Sequence, residues 1–377
     1  MRITLDLSPV IHRKAGLATY ARNLSEQLLQ RDRANEYAAF YYGAGVAPLP
    51  PSLNALPMTS VPWGARRWRM TVAVQYFAGG SMERTIGKTD LFHATEHLLP
   101  PLRATRTVFT FHDAIYALFP EYHLPLNRLF LGSMMPRFLR RADAIIAVSE
   151  CSKRDAMRLY NVPSEKITVI YEGVNPTLRP IDDLNRIADV RARYAKNQPF
   201  ILCVSTIEPR KNISALVDAL KLLRARGLSH RLLIAGRKGW LYQATFDHVR
   251  ESGMERQVDF LDYVPDADLA SLLSACDAFV FPSLYEGFGL PPLEAMTCGA
   301  PVVCTNTSSL PEVVGDAALL VNPRDVGEIA DAIERVITDR ALHDELRAKG
   351  IAQAKKFSWE HAAQETLSLY DSLKEKQ

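Results

Sequence analysis

FPSLYEGFGLPPLEAMTCGAP, residues 281–301, packs a strand end, a glycine-bearing loop, two prolines and the start of a helix into 21 positions. The apolar run Ala278–Phe281 predicts a buried strand leading into it, and the helix is expected to open near Pro292. Proline suits a helix start, because its missing N–H would be unpaired there anyway. The amides of Phe288, Gly289 and Leu290 would then point at whatever lies over the helix end, where the macrodipole favours an anion by about 0.3–1 kcal/mol when exposed. Two carboxylates, Glu286 and Glu294, flank this nest with seven residues between them, Glu294 expected on the first helical turn. A strand–turn–helix with one capping acid accounts for Glu294 alone. It accounts poorly for Glu286, Gly287 and Gly289 together.

Working outward, the same grammar of short β-branched strands and longer helical patterns recurs, which is the signature of α/β layers with parallel sheets. Strands are expected at Ile3–Leu7, Ala38–Tyr42, Leu91–His93, Thr107–Phe111, Ala144–Val148 and Ile167–Ile170 in the front half. Phe200–Val204, Arg231–Ala235, Val258–Leu261, Ala278–Phe281 and Pro301–Cys304 are expected in the back half. Helical spacing marks Gly16–Leu29, Ile213–Ala225, a start at Asp266 and an amphipathic segment Ser358–Lys374. A chain of 377 residues exceeds one ordinary core. Residues 175–199 are polar, hold three prolines and read as a hinge. The expected division is therefore 1–175, 176–356 and a C-terminal helix at 357–377 that returns to the first domain. Two doubly wound, Rossmann-like domains facing across a cleft would place ligands outside the carboxyl ends of their strands.

Composition narrows the class. Hydrophobic residues make up 47% and charged residues 23%, an ordinary globular mix that speaks against disorder. The net charge of +3 gives no footprint for nucleic acid. Residues 1–175 carry 21 Lys and Arg against 14 Asp and Glu, whereas the rest carry 24 against 28, so an anionic partner would meet the front half. Five scattered cysteines without a CxxC pair suit a reducing compartment. The opening MRITLDLSPV lacks a signal-peptide core, and no run of about 18 apolar residues occurs, so a cytoplasmic protein is expected.

Three more strand ends hold candidate chemistry. STIEPRKN, 205–212, sets Arg210 and Lys211 after the strand Phe200–Val204, and a guanidinium fork beside an ammonium suits a diphosphate. A solvated basic pair is the bland alternative. TFHD, 110–113, sets His112 at a strand end, facing either a cleft or Asp113. Gly16 opens the first long helix and would let backbone approach a phosphate, though its spacing is not GxGxxG. Asp266-Ala267-Asp268 spells a DxD string, but after Pro265 it reads better as a helix start, so no metal is expected. RRWRM (66–70) and MMPRFLRR (134–141) mix cations with apolar residues. They read either as packed amphipathic helices or as a contact with an anionic, lipid-linked acceptor at a membrane face.

Together these loops resemble the retaining glycosyltransferases of the GT-B fold, in the large family that includes bacterial mannosyltransferases (glycosyltransferase family 4, glycosyl transferases group 1). YEGFGLPPLEAMTCGAPVV, 285–303, is similar to that family's paired-glutamate region. EPRKNI (208–213), AVSECSKRD (147–155), VIYEGVN (169–175), FHD (111–113) and LPEVVGDAALLVNP (310–323) follow in matching order. The resemblance implies that Arg210 and Lys211 hold the donor diphosphate, that Glu294 binds ribose hydroxyls, and that Glu286 meets the transferred sugar. It further implies that the Phe288, Gly289 and Leu290 amides bind phosphate, as Gly16 does from the other domain. His112 would face sugar and acceptor, and the base would rest near Tyr263 and Val264, with Arg237 or Lys238 beside it. Many relatives carry Gly-Arg where this chain has Ser205–Thr206, which shifts weight onto Arg210 and Lys211.

The implied reaction moves a hexose, mannose first, from a nucleotide-diphosphate sugar to a glycan or lipid-linked acceptor. GDP-mannose is the first donor expected and a UDP-sugar the next, with no cofactor, no metal and no nucleic-acid partner. The implied setting is cell-surface polysaccharide synthesis, with the basic first domain touching the membrane. A sugar-nucleotide epimerase, a longer-chain phosphorylase type and a non-catalytic nucleotide-sugar-binding subunit are the alternatives. The paired glutamates favour transfer.

Overall fold

The computed structural model describes residues 1–43 and 49–374. The chain divides into two compact units, one of Met1–Gly173 with the segment from Ser358 on, the other Val174–Phe357. The C-terminal helix Trp359–Lys374 thus belongs with the first unit. Ser358 Oγ caps it by accepting from the His361 amide at 3.1 Å. Its Tyr370 hydroxyl lies 2.6 Å from His93 Nδ1, and Trp359 packs edge-on to Tyr20 at 5.8 Å. Gly173 permits this docking: a Cβ there would fall 2.0 Å from the Trp359 amide nitrogen.

The first unit holds a parallel seven-stranded sheet: β1 Arg2–Asp6, β2 Glu36–Tyr42, β3 Met58–Val61, β4 Leu91–Ala94, β5 Arg106–Phe111, β6 Ala144–Ala147 and β7 Ile167–Val169. Their order is β3-β2-β1-β4-β5-β6-β7. The second unit holds six parallel strands: β8 Phe200–Val204, β9 Arg231–Ala235, β10 Val258–Asp262, β11 Ala278–Phe281, β12 Val302–Thr305 and β13 Ala318–Val321, ordered β10-β9-β8-β11-β12-β13. Each sheet therefore grows both ways from an inner strand, and its switch point lies between β1 and β4 or between β8 and β11. The inner strands are buried on both faces and read as apolar runs, as parallel sheets covered by helices require. Trp68, Phe92 and Phe138 fill one core; Leu216, Leu220 and Ile333 fill the other.

The structure departs from expectation in three places. Strands β3 and β13 were not expected; both are four-residue edge strands with mixed burial, and of the two only β13, ALLV, carries an apolar run. The expected hinge 175–199 contains the helix Leu184–Ala195, started by Asp183, whose side chain accepts from the Asn185 and Arg186 amides. That helix buries only Val190 and Ala195 and is held largely by charge, with Arg193 paired to Asp268 at 2.7 Å. Its polarity hid it. The helix after β11 begins at Leu290 rather than Pro292, so Glu294 sits in the second turn. Among the described residues no helix is long and apolar enough to cross a membrane. All five cysteines are buried, and no disulfide joins them.

Candidate active site

The second unit's switch point gathers the loops after β8 and β11. The β8 loop ends in a short turn, Pro209–Lys211, that drives Lys211 inward to 8% exposure. Lys211 Nζ donates to Glu286 Oε1 at 2.6 Å. Arg210 Nη1 lies 2.8 Å from the same oxygen and donates to the Tyr285 carbonyl at 2.7 Å, while its Nη2 reaches Glu208 at 2.6 Å. Ser283 Oγ donates to Glu286 Oε1 at 2.5 Å. A solvated basic pair is thereby ruled out: two cations and two carboxylates form one enclosed, charge-balanced cluster.

Electrostatics follow from that enclosure. Burial alone would raise the Glu286 carboxyl, but the Arg210 and Lys211 charges, with hydrogen bonds from Lys211 and Ser283, outweigh it and hold the group at about 2. Glu286 is therefore a firm anion. Lys211 is pushed below its ordinary value, first by burial and then by Arg210, with Glu286 opposing both. The Lys211 ammonium has three hydrogens and donates one of them to Glu286.

A second loop braces the first. At the end of β12, Thr305 Oγ1 donates to the Ser283 carbonyl at 2.6 Å; after it, Ser308 Oγ accepts from the Glu286 amide at 2.9 Å, and Ser309 Oγ donates to the Phe288 carbonyl at 2.6 Å. Sequence reasoning missed these hydroxyls; their signal was the polar run TNTSS directly after a strand. Gly289 occupies the left-handed region at φ 114° and caps the helix. A Cβ there would also meet Leu310 Cδ2 at 2.7 Å. Pro291 and Pro292 carry no amide, so within 288–292 only Phe288, Gly289 and Leu290 have a backbone N–H.

The neighbouring β9 and β10 loops lie alongside. The Gly236 amide donates to the Asp262 carbonyl at 2.7 Å, and the Ile207 amide to the Arg237 carbonyl at 2.9 Å. Tyr263 is 61% exposed with Arg237 5.5 Å from its ring, whereas Val264 is buried. Arg210, Lys211, Glu286 and the 288–290 segment are thus brought together, with Tyr263 on an adjoining loop and Glu294 half-buried one helical turn further on.

In the first unit, Gly16 lies inside the helix Ala15–Arg31 rather than before it, exposed and with nothing within 4 Å of a Cβ position. His112 does not bond Asp113. Its Nε2–H donates to the Thr95 carbonyl at 3.0 Å, and Nδ1 lies 3.6 Å from Glu172. At the β1–β4 switch point, Lys14 pairs with Glu96, which also accepts from the Tyr42 hydroxyl at 2.9 Å. Burial first, then Glu96, raises Asp6 to about 7. Sequence reasoning missed Asp6, Lys14, Glu96 and Glu172, although Asp6 ends a strand and Glu96 follows one by two residues. Of the DxD string, Asp268 is held at about 2 by hydrogen bonds from Arg193 and Tyr194. Among the described residues no group of three or more His, Cys, Asp or Glu could hold a metal ion.

Fold and site together define the class: a glycosyltransferase built from two doubly wound units. The family follows from two matches. Residues 15–178 match Glycosyltransferase Family 4 and residues 187–357 match Glycosyl transferases group 1, and the chain belongs to this family. It is 38% identical over 288 residues to O-antigen chain mannosyltransferase B of Escherichia coli, covering 76% of this chain and 75% of that protein. It is 39% identical over 264 residues to the serotype-specific mannosyltransferase WbdA of E. coli, covering 68% of this chain but only 32% of that longer protein. In structure it is similar over 100% of both chains to sucrose-phosphate synthase of Thermosynechococcus elongatus, with a TM-score of 0.78 and 22% identity. It is similar to Anabaena Alr3699/HepE in complex with UDP and glucose with a TM-score of 0.73 and 21% identity, over 99% of this chain and 100% of that one. At these identities the structural likeness speaks for the fold.

Proposed function

We propose that the chain is a retaining mannosyltransferase that takes GDP-mannose and extends a glycan or lipid-linked acceptor in cell-surface polysaccharide synthesis of the O-antigen kind, on the cytoplasmic side. The observation that supports it is the convergence of Arg210 and Lys211 over the β8–β11 switch point. There the two cations meet a donor pyrophosphate and stabilise it as the leaving group, while Glu286 orients the ammonium and meets the sugar hydroxyls. The Phe288, Gly289 and Leu290 amides take phosphate oxygens, Glu294 the ribose, and the Tyr263–Val264 loop lies beside the base. Gly16 and His112 keep the roles that the family resemblance gives them, and no metal takes part. Mannose is favoured because relatives named as mannosyltransferases match over most of the chain; a UDP-sugar is the next donor, on the neighbour that binds UDP.

Thermal-shift measurement with GDP, UDP, ADP and dTDP tests the donor. A nucleotide at 100 times its Kd stabilises by about 2.7 kcal/mol. GDP should give the largest shift, and Lys211→Ala should abolish it. A larger shift with UDP would reassign the base. No shift with any nucleotide would remove the donor site from this switch point.

A further inference from the structure

The His112 ring is held from several sides. Its Nε2–H goes to the Thr95 carbonyl, its own carbonyl accepts from Ser152 Oγ at 2.7 Å, and the Tyr20 ring meets it edge-on at 4.8 Å. In the uncharged ring Nδ1 is then an acceptor. It faces the Glu172 carboxylate across 3.6 Å, a gap too long for a hydrogen bond. Glu172 is only 5% exposed, and no described residue donates a hydrogen bond to its carboxylate. Its place is fixed by the next residue, Gly173, which packs on the Trp359 backbone so closely that a Cβ would collide. A carboxylate this buried is costly unless something donates to it. The surroundings offer no such donor. The His97 ring lies 5.6 Å from that of His112, and its buried Nε2 has no partner. Burial lowers His97 to about 4 against the pull of Asp113 and Glu96, so it brings no cation. The Lys14 ammonium is engaged by Glu96 and the Tyr42 hydroxyl.

Two acceptors thus stand side by side at the carboxyl end of the first sheet, in a unit that is basic overall. What fills such a place must donate hydrogens and bring no negative charge. A phosphate does neither. A sugar ring does both: hydroxyls on adjacent carbons lie close enough together for one to donate to Glu172 and its neighbour to Nδ1. We infer that Glu172 and His112 Nδ1 bind two adjacent hydroxyls of an uncharged hexose, with Glu172 as the charged acceptor of the pair. The inference rests on the transferase reading and deepens it. The first unit selects a neutral polyol where the β8–β11 cluster of the second selects a diphosphate. The hexose belongs either to the acceptor or to the donor, and the chemistry of recognition is the same for both.

Saturation-transfer NMR on the full chain tests it, with the methyl α-glycosides of mannose, glucose and galactose and with monodeoxy forms of whichever binds. Glu172→Ala should weaken that glycoside about tenfold or more, the size of one hydrogen bond to a charged group. Glu172→Gln keeps the shape, drops the charge and should fall between. In the wild type, removing one hydroxyl of the bound pair should weaken binding; in Glu172→Ala the same removal should cost nothing further, which a merely structural role would not produce. The affinity of GDP-mannose relative to GDP, and of UDP-glucose relative to UDP, tells the source. A ratio that falls in the variants marks the donor hexose, and an unchanged ratio with a weakened glycoside marks the acceptor. Unchanged ratios together with glycoside binding that is equal in all three proteins, or absent from all, would overturn the inference. So would a Glu172→Ala protein that still distinguishes every deoxy form as the wild type does. The nucleotide-induced Tm shift should stay at its wild-type value in both variants, so failure of the donor reading would show separately as no shift in any protein.

Discussion

Replacing Lys211 by methionine isolates the clamp from the fold. The side chain keeps its buried stem and loses one cation that donates at 2.6 Å to Glu286. Arg210 and Ser283 remain on the same carboxylate oxygen, at 2.8 Å and 2.5 Å. Orphaning a buried charge completely costs about 3–5 kcal/mol; with two partners left, the loss should be nearer to the 1–3 kcal/mol of one charge-assisted hydrogen bond. For a domain stable by about 5–15 kcal/mol, the folded fraction stays close to one. The effect on the reaction should be larger. The cluster of Arg210, Lys211, Glu208 and Glu286 passes from balanced to net negative where a diphosphate must gather charge. Removing one preorganised donor raises a barrier by about 2.7–4 kcal/mol, or 10²–10³ in turnover. Urea unfolding paired with single-turnover donor cleavage measures both quantities on one preparation. Turnover within threefold of wild type, alongside the expected stability loss, would reduce Lys211 to a structural counter-ion and refute the clamp.

Glu286 falls from an ordinary 4.5 to about 2 in the folded chain, so its contribution is present above pH 4.5 and lost as pH falls toward 2. At about 1.4 kcal/mol per pH unit this is worth roughly 3 kcal/mol, and Glu286→Gln should flatten that part of a stability-against-pH curve measured by urea midpoints. Gly289→Ala must hold φ 114° and seat a Cβ 2.7 Å from Leu310 Cδ2; a loss of about 1–3 kcal/mol in urea is expected, together with weaker nucleotide binding in the thermal-shift assay. Tyr370→Phe removes the hydroxyl 2.6 Å from His93 Nδ1 and leaves that buried nitrogen without it, which should cost about 1–3 kcal/mol of stability without changing the nucleotide-induced shift.

What could be read from the sequence follows physical lines. Inner parallel strands are buried on both faces, and all nine were expected, as were the edge strands β7 and β10; of the two edge strands that were not, β3 is a short MTSV with mixed burial, whereas β13 carries the apolar run ALLV. Arg210, Lys211 and Glu286 were legible as residues because chemistry at a strand's carboxyl end follows from the topology. Their mutual contact was not, since it spans 75 positions and no periodicity encodes it. The bracing hydroxyls of Thr305, Ser308 and Ser309 escaped for the same reason: each bonds the backbone of a loop some 20 residues away, and serine in a polar loop has no distinctive spacing.

The two switch points also show why a family pattern and a single sequence disclose different things. Each unit closes its switch point with a lysine from the segment after its first inner strand and a glutamate from the loop after the strand across the switch: Lys14 with Glu96, Lys211 with Glu286. A parallel sheet leaves a crevice there because successive crossovers leave in opposite directions. A buried ion pair is a poor way to fill such a gap for stability alone, since apolar side chains of equal volume serve as well or better. Keeping charges in both crevices is therefore best understood as keeping donors preset for a polar ligand. In the first unit the charged groups kept in the crevice are Asp6, Lys14 and Glu96, residues that the motif strings never singled out.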